Sequence, residues 1–119
     1  MAHRLRDLLL HMHAAATDAR VFVEGMAKSE FLEDRRTQQA VLMSLVVLGE
    51  ASTKIGQLYP LWAERHSELP LRSMRGMRNR LAHGYYQIDF DLVWTTVEAE
   101  LPPLLLLLMS AMAGADLDD

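Results

Sequence analysis

The chain of 119 residues contains no cysteine. This absence excludes a disulfide framework, a thiolate nucleophile and any cysteine-ligated zinc or iron–sulfur site. The sequence also lacks a glycine-rich phosphate loop, an H-E-x-x-H motif and a nucleophile elbow, so it predicts neither a metal nor a cofactor. Its most lipid-like run, Leu104 to Met109, is far shorter than the ~20 residues that span a bilayer. With no recognisable signal peptide, the sequence predicts a cytoplasmic protein without a membrane partner.

Half of the residues are hydrophobic and 24% are charged, a composition typical of a single globular domain, here over residues 1–119. Apolar residues recur at steps of three and four, and no segment alternates for long enough to form a strand. This pattern predicts an all-α, up-and-down bundle of four to five helices. The expected helices cover approximately residues 5–26, 33–58, 70–83, 89–101 and 104–112, with one or two further helical turns at 61–66.

The second of these helices is expected at the centre of the bundle. It is apolar on every face from Leu45 to Leu48, as a helix surrounded by others would be. Gly49 and Gly56 each cost about 1 kcal/mol relative to alanine within a helix. Their presence predicts that a neighbouring helix approaches closely at both positions.

The C-terminal third carries several signals for helix ends. Pro70 is expected in the first turn of a helix, and Gly84 as its left-handed stop. Asp89 is expected as an N-cap, while Pro102 and Pro103 predict a kink or interruption of the last helical stretch. The run Leu104 to Leu108 cannot place all its side chains on one face, so it is buried either in its own bundle or partly by a second copy.

Charge is distributed unevenly along the chain. The net charge is −4. The segment from Arg65 to Ile88 has five arginines and one acid, which gives it +4 and leaves −8 for the remainder. An arginine-only cluster in an acidic protein predicts a local anion site, because guanidinium groups bind phosphate through two parallel hydrogen bonds. Exposed helices also carry arginine without any ligand, and that interpretation is favoured for Arg65 and Arg80.

Helical geometry separates the remaining arginines into two groups. Arg72, Arg75, Asn79 and His83 fall within about 80° of one another and predict one polar stripe that ends in an imidazole. Arg78 lies about 140° from His83 by the same geometry. One chain would therefore not aim both at the same point unless the helix end loosens or a second subunit supplies the missing group. The arrangement predicts a site shared between two copies.

The segment from Met77 to Tyr85 contains an arginine, four residues, a histidine, one residue and a tyrosine. This resembles the R-x4-H-x-Y signature of the HepT-like branch of the HEPN superfamily, the toxin half of HepT/MntA toxin–antitoxin modules. The resemblance extends to the flanks. The segment Leu48-Gly49-Glu50-Ala51 looks like the family's central helix, and Ile88-Asp89, Val93-Trp94 and Leu101-Pro102 follow at the family's usual spacing.

The resemblance implies a homodimeric, metal-independent endoribonuclease of five-helix, HEPN-like form, with two motifs meeting across the dimer interface. Arg78 and His83 would be the catalytic pair and Asn79 their polar support. Arg72 and Arg75 would bind RNA phosphates. Attack by the ribose 2′-hydroxyl would leave cyclic-phosphate ends and would spare DNA.

Two further residues receive roles. By resemblance, Tyr85 is the residue to which a cognate MntA-like nucleotidyltransferase antitoxin attaches AMP, although Tyr86 is an adjacent second phenol. Glu50 lies within an apolar stretch, and a buried carboxylate requires a partner. We expect Glu50 to line the site and orient Arg72, Arg75 or Arg78. A solvated or interfacial carboxylate is the alternative.

Two other functions are compatible with the same sequence. One is a non-catalytic substrate-binding or regulatory subunit of a two-component nucleotidyltransferase. The other is a helical dimer whose arginine stripe holds some other anion. A neighbouring nucleotidyltransferase gene would support the toxin and the binding subunit and would disfavour the third function.

Overall fold

The structure, a computed structural model, describes residues 4–115, which form helices joined by short turns. The helices are α1 (Leu5–Phe22), α2 (Lys28–Glu33), α3 (Arg35–Leu58), α4 (Pro60–Arg65), α5 (Leu71–His83), α6 (Phe90–Thr95) and α7 (Leu101–Ala115). A 3-10 turn (Tyr85–Gln87) follows α5, and a π-helical turn (Thr96–Glu100) joins α6 to α7. The described residues contain no strand, which confirms the predicted all-α fold.

Helix α3 is the central element, as predicted. It packs between α1 and α5, and α7 lies against the other side of α1. One side of α3 is buried in the core through Val41, Leu45, Leu48, Ser52 and Ile55. The opposite side is partly open within one chain, since Met43 is 65% exposed and Val47 is 41% exposed. The segment from Leu45 to Leu48, which is apolar on every face, is therefore covered by neighbouring helices on only part of its circumference.

Helix α3 begins at a well-formed N-cap. The backbone N–H of Thr37 donates to Asp34 Oδ1 at 3.1 Å, and its hydroxyl donates to Oδ2 at 2.8 Å. These hydrogen bonds, the backbone one first, hold the pKa of Asp34 below its ordinary value. The short helix α2, which the sequence pattern did not predict, lies directly before this cap. It is anchored by buried Phe31, whose ring packs against Phe90 and Trp94.

The two consecutive prolines, Pro102 and Pro103, are preceded by a π-helical turn instead of an α-helical one. Proline has no N–H to donate, and the helix meets this deficit with a π-helical turn in which Leu101 N–H reaches back to Thr96 O. Arg20 of α1 donates from Nη1 to the carbonyl of Val97 at 3.3 Å and to Glu98 Oε1 at 2.7 Å. The predicted interruption is therefore a widened turn at 96–100, and Pro102 and Pro103 lie in the first turn of α7.

Three expectations for glycine and proline are wrong. A Cβ on Gly56 would meet no atom within 4 Å, so no helix approaches there. Gly84 ends α5 at φ −122°, because the chain continues into a 3-10 turn and needs no left-handed residue. Pro70 is the N-cap of α5, directly before its first turn. Asp89 caps α6 as predicted, accepting from the N–H groups of Asp91 and Leu92.

Two helical stretches, Arg35–Leu58 and Phe90–Gly114, are long and apolar enough to cross a bilayer, by length and composition alone. The second stretch contains the leucine run and is much longer than the run alone. Half of the apolar window in α3 is buried by its neighbours, as in a bundle's core helix. Within α7, Leu104 and Leu108 face the core, whereas Leu106 is 70% exposed.

Candidate active site at the crossing of α3 and α5

Gly49 defines the point where α5 crosses α3. A Cβ at this position would lie 2.2 Å from Arg78 Cβ and 2.8 Å from the carbonyl oxygen of Met74. The first of these atoms is the Cβ of Arg78 and the second is a backbone oxygen. Neither can move aside unless helix α5 itself moves. The close approach predicted at Gly49 is therefore confirmed, and its result is that the base of the Arg78 side chain lies directly against α3.

Arg78 is held by two side chains from successive turns of α3. Its Nη2 donates to the hydroxyl of Thr53 at 3.5 Å, and its Nε lies 3.2 Å from Glu50 Oε1. The Nε–H is buried and is not aimed at any acceptor, so the contact with Glu50 is an ion pair and not a hydrogen bond. The Arg78 side chain is 21% exposed. A guanidinium held in this way keeps donors available for an incoming anion.

Thr53 is part of this arrangement and was not singled out by the sequence. Its side chain is buried, and its hydroxyl donates to the carbonyl of Gly49 at 2.9 Å, which leaves oxygen lone pairs to accept from Arg78. The signal that would have found it is spacing. Thr53 follows Glu50 by three residues and Gly49 by four, so all three lie near one another on the helix surface.

Glu50 pairs with an arginine as predicted, but it is not buried. Its side chain is 53% exposed. The residue lies about 200° around the helix from Leu48, on the side away from the core, even though its sequence neighbours are apolar. Of the three candidate arginines, Arg78 is the one that reaches it. The other two point elsewhere.

The predicted polar stripe lies along the outer side of α5. Arg72, Arg75, Asn79 and His83 are all exposed, and no hydrogen bond or ion pair engages their side chains within residues 4–115. Arg78 instead faces α3. Within one chain the two proposed catalytic residues therefore lie on different sides of α5, as the helical geometry predicted.

The segment that follows α5 begins next to His83, the last residue of the exposed polar stripe. Gly84 N–H donates to Arg80 O at 2.8 Å, and the 3-10 turn that follows contains Tyr85 and Tyr86. Tyr86 is 74% exposed. The side chain of Tyr85, the predicted modification point, lies outside the side chains that the structure describes. Across the described residues, no three His, Asp or Glu side chains are grouped so that they could hold a metal ion.

Comparison with known proteins places the chain among RNA-cleaving hydrolases. Residues 12–111 match the model of the family described as "Ribonuclease HepT-like", and the chain belongs to that family. The matched range contains Glu50, Arg78, His83 and Tyr85. The resemblance derived from the sequence motif is thereby confirmed, as is the class of enzyme.

Several curated proteins are similar over most of the chain. A probable ribonuclease HepT of Thermococcus cleftensis is 36% identical over 83 residues, covering 70% of this chain and 73% of its own length. A putative RNase of Caldanaerobacter subterraneus subsp. tengcongensis is 32% identical over 82 residues, with coverages of 69% and 70%. A putative RNase of Methanocaldococcus jannaschii is 32% identical over 100 residues, with coverages of 84% and 80%. No solved structure matches the chain significantly.

Proposed function

We propose that this ribonuclease is a metal-independent endoribonuclease toxin that cuts RNA through attack by a ribose 2′-hydroxyl. The observation that carries the proposal is Arg78, held against α3 by Glu50 and Thr53 and five residues before an exposed histidine on the same helix. An arginine in this setting is suited to a phosphate, and the histidine supplies a proton acceptor and donor. The family membership supports RNA as the substrate.

In the proposed reaction, His83 accepts the 2′-hydroxyl proton or donates a proton to the departing 5′-oxygen. The 2′-oxygen forms a bond to phosphorus, and the bond from phosphorus to the 5′-oxygen breaks. The products are a 2′,3′-cyclic phosphate and a free 5′-hydroxyl. Arg78 stabilises the extra negative charge on the pentacoordinate phosphorus. Asn79 supports the pair, and Glu50 orients the guanidinium.

The complete site is proposed to form between two copies of the chain. Arg78 and His83 diverge around α5 within one chain, so a homodimer that brings two motifs together supplies what each copy lacks. Arg72 and Arg75 then bind phosphates that flank the cleaved bond. In this proposed function residues 1–119 act as one domain, and the enzyme works in the cytoplasm, where RNA is available.

Regulation is proposed to act at Tyr85. A cognate MntA-like nucleotidyltransferase antitoxin transfers AMP to the phenol oxygen, with release of pyrophosphate from ATP. The added nucleotide brings bulk and negative charge next to His83 and the arginine stripe, where the RNA must bind. Modified enzyme is therefore inactive. Tyr86 is the alternative acceptor, and Tyr85→Phe and Tyr86→Phe variants distinguish the two by mass spectrometry.

The decisive experiment is cleavage of an end-labelled RNA by the purified chain in EDTA. We expect cyclic-phosphate ends, no cleavage of DNA, and loss of at least 100-fold in rate for His83→Ala, the scale of general acid–base catalysis. An adenylylated sample is expected to be inactive as well. If a folded, unmodified dimer does not cut RNA, the chain is instead a binding subunit. If His83→Ala retains full activity, the assigned mechanism is wrong.

A further inference from the structure

A wide groove lies between the C-terminal half of α3, helix α4 and helix α5. We call it the α3–α4–α5 groove, and its volume is about 980 Å³. It is open because several small residues line it, among them Ser52, Gly56, Ala63 and Ser67. Gly56 is the clearest case, since an added Cβ there would meet nothing within 4 Å. The position where helix packing was expected is therefore free space.

The groove is basic in an acidic protein. Arg72, Arg75 and Arg80 line it, and Glu64 is the one acidic residue among its lining. The three arginines are exposed, and within residues 4–115 none of their side chains forms a hydrogen bond or ion pair. The Nη1 of Arg80 lies 3.6 Å from the place that a Cβ on Gly76 would occupy, so this guanidinium folds back along α5. The groove thus has unpaired positive charge on its wall.

The groove also adjoins the candidate active site. Thr53 lines it and accepts the hydrogen bond from Arg78 Nη2. From Arg72 to Arg80 the helix rises about 12 Å, enough to contact more than one phosphate along a strand. A strand in the groove would therefore run along the arginines and reach the guanidinium that the proposed mechanism uses.

We infer that the α3–α4–α5 groove binds the single-stranded RNA segment next to the cleaved bond. This inference rests on the proposed function and adds a subsite to it, including a role for Arg80 and for the open position at Gly56. The lining favours RNA over a protein partner. The large hydrophobic side chains that are most exposed in the described residues, such as Leu61 and Leu106, lie outside the groove, so its apolar lining, which includes Leu69 and Leu71, offers a protein fewer anchors than the arginines offer a phosphate backbone.

Gly56 provides the test, because a side chain added there enters the groove without meeting the bundle. We would compare Gly56→Glu, Gly56→Gln and Gly56→Lys, all of which favour the helix more than glycine does. The probe is a fluorescent 12-mer RNA with 2′-O-methyl groups, which binds but is not cleaved. We expect Kd to increase about threefold for Glu relative to Gln and to fall about threefold for Lys, at low salt.

A second measurement examines Arg80 directly. For single strands the logarithm of affinity falls with the logarithm of salt concentration by about 0.7 per phosphate contact. Arg80→Ala is expected to reduce that slope by about 0.7. An unchanged slope would mean that Arg80 contacts no phosphate and would overturn its role in the groove.

Controls separate the failure of this inference from the failure of the proposed function. Cleavage of a dinucleotide by the wild type tests the catalytic proposal separately, because so short a substrate does not extend into the groove. If the wild type cleaves RNA but all three variants bind the 12-mer equally, the groove inference is wrong. If RNA affinity is constant while the variants differ in self-association or in binding the antitoxin, the groove is a protein interface and the inference is equally overturned. If no substrate is cleaved yet the order of affinities holds, only the catalytic proposal fails.

Discussion

Arg78 is the residue on which the candidate site depends. Its partners, Glu50 and Thr53, position its guanidinium more than they stabilise the folded chain. The Glu50 side chain is 53% exposed, and ion pairs in such surroundings typically contribute only about 0–1 kcal/mol to folding. The hydrogen bond to Thr53 is long, at 3.5 Å. Neither contact accounts for much folding free energy, whereas both restrict where the guanidinium can lie.

Glu50→Gln is therefore expected to affect catalysis more than folding. The amide keeps the shape of the side chain but loses the charge that attracts Arg78. We expect kcat to fall about tenfold, with the free energy of unfolding changed by less than about 0.5 kcal/mol. Steady-state cleavage and urea unfolding measure the two effects. Glu24→Gln, an exposed carboxylate after α1, is the control and should change neither.

Thr53 allows a sharper comparison, because its hydroxyl and its shape are separable. Thr53→Val keeps the volume and removes both the donor to Gly49 and the acceptor for Arg78, so kcat is expected to fall about tenfold with little change in KM. Thr53→Ser retains the hydroxyl and should restore most of the rate. Equal kcat values for the valine and serine variants would show that the hydroxyl does not position Arg78.

Some of these residues were accessible from the sequence and others were not. The motif spacing identified Arg78 and His83 as candidates, and the helical angles separated Arg78 from the exposed stripe. The same angles would have shown Glu50 to be on the outer side of α3. The expectation of burial came instead from its apolar sequence neighbours. Thr53 was missed because a threonine within a helix has no distinctive pattern until the crossing helix is known.

At the scale of elements, Gly49 and Gly56 of α3 allow the same substitution to be compared at a crowded and at an open position of one helix. Gly49→Ala places a methyl group against the backbone of α5 and is expected to cost about 1–3 kcal/mol and most of the activity. Gly56→Ala meets nothing and should stabilise the helix by up to about 1 kcal/mol. Thermal unfolding and RNA cleavage of both variants measure the difference. Similar melting temperatures for the two would contradict the crossing at Gly49.

The N-cap of α3 predicts a pH dependence of stability. The pKa of Asp34 is lower in the folded state than in the unfolded state, chiefly through the backbone hydrogen bond from Thr37. Its contribution is therefore complete above the unfolded-state pKa of about 3.9 and is lost as the pH falls through the folded value. Asp34→Asn keeps a capping oxygen but cannot titrate. The stability gap between wild type and variant should narrow on acidification below about pH 4, as followed by urea unfolding, and a constant gap would contradict this assignment.

The long helices could be predicted, and the short elements could not. Helices α1, α3 and α5 carry sustained apolar periodicity and were placed to within a few residues. Helix α2 has six residues, too few for periodicity, and depends on the contacts of Phe31 with α6. The π-helical turn accommodates Pro102 and Pro103, and Arg20, which is distant in sequence, donates to the Val97 carbonyl within it. Long-range partners of this kind are not visible in a local pattern.

At the scale of the whole molecule, the proposed sharing of the site between two copies makes a quantitative prediction. Arg78→Ala and His83→Ala should each be inactive alone. If each site takes its arginine from one copy and its histidine from the other, half of the randomly mixed dimers contain one intact site. Refolding an equal mixture is therefore expected to recover about a quarter of the wild-type rate. No recovery in a mixture shown to exchange subunits would mean that both residues act from the same chain.

Exposed apolar side chains form two areas on the surface of the single chain. Leu106 and Met109 are exposed on α7, and Met43 and Val47 on α3, so the single chain leaves two apolar areas open. The sequence analysis predicted that the leucine run is buried either in the core of its own chain or partly by a second copy. The structure places Leu104 and Leu108 in the core and leaves Leu106 out.

The π-helical turn fixes how the last helix is rotated about its axis. Each residue of a helix turns the chain by about 100°, and a π turn holds one residue more than the α-helical turn it replaces. Loss of a single residue between Thr96 and Glu100 would therefore convert this segment into an ordinary α-helical turn and leave Leu104 and Leu108 facing α1, whereas the same loss between Leu101 and Leu104 would rotate these two leucines away from α1 by about 100°. The continuous leucine run would still offer an apolar face after such a shift, so this helix tolerates a change in phase that a strictly amphipathic one would not.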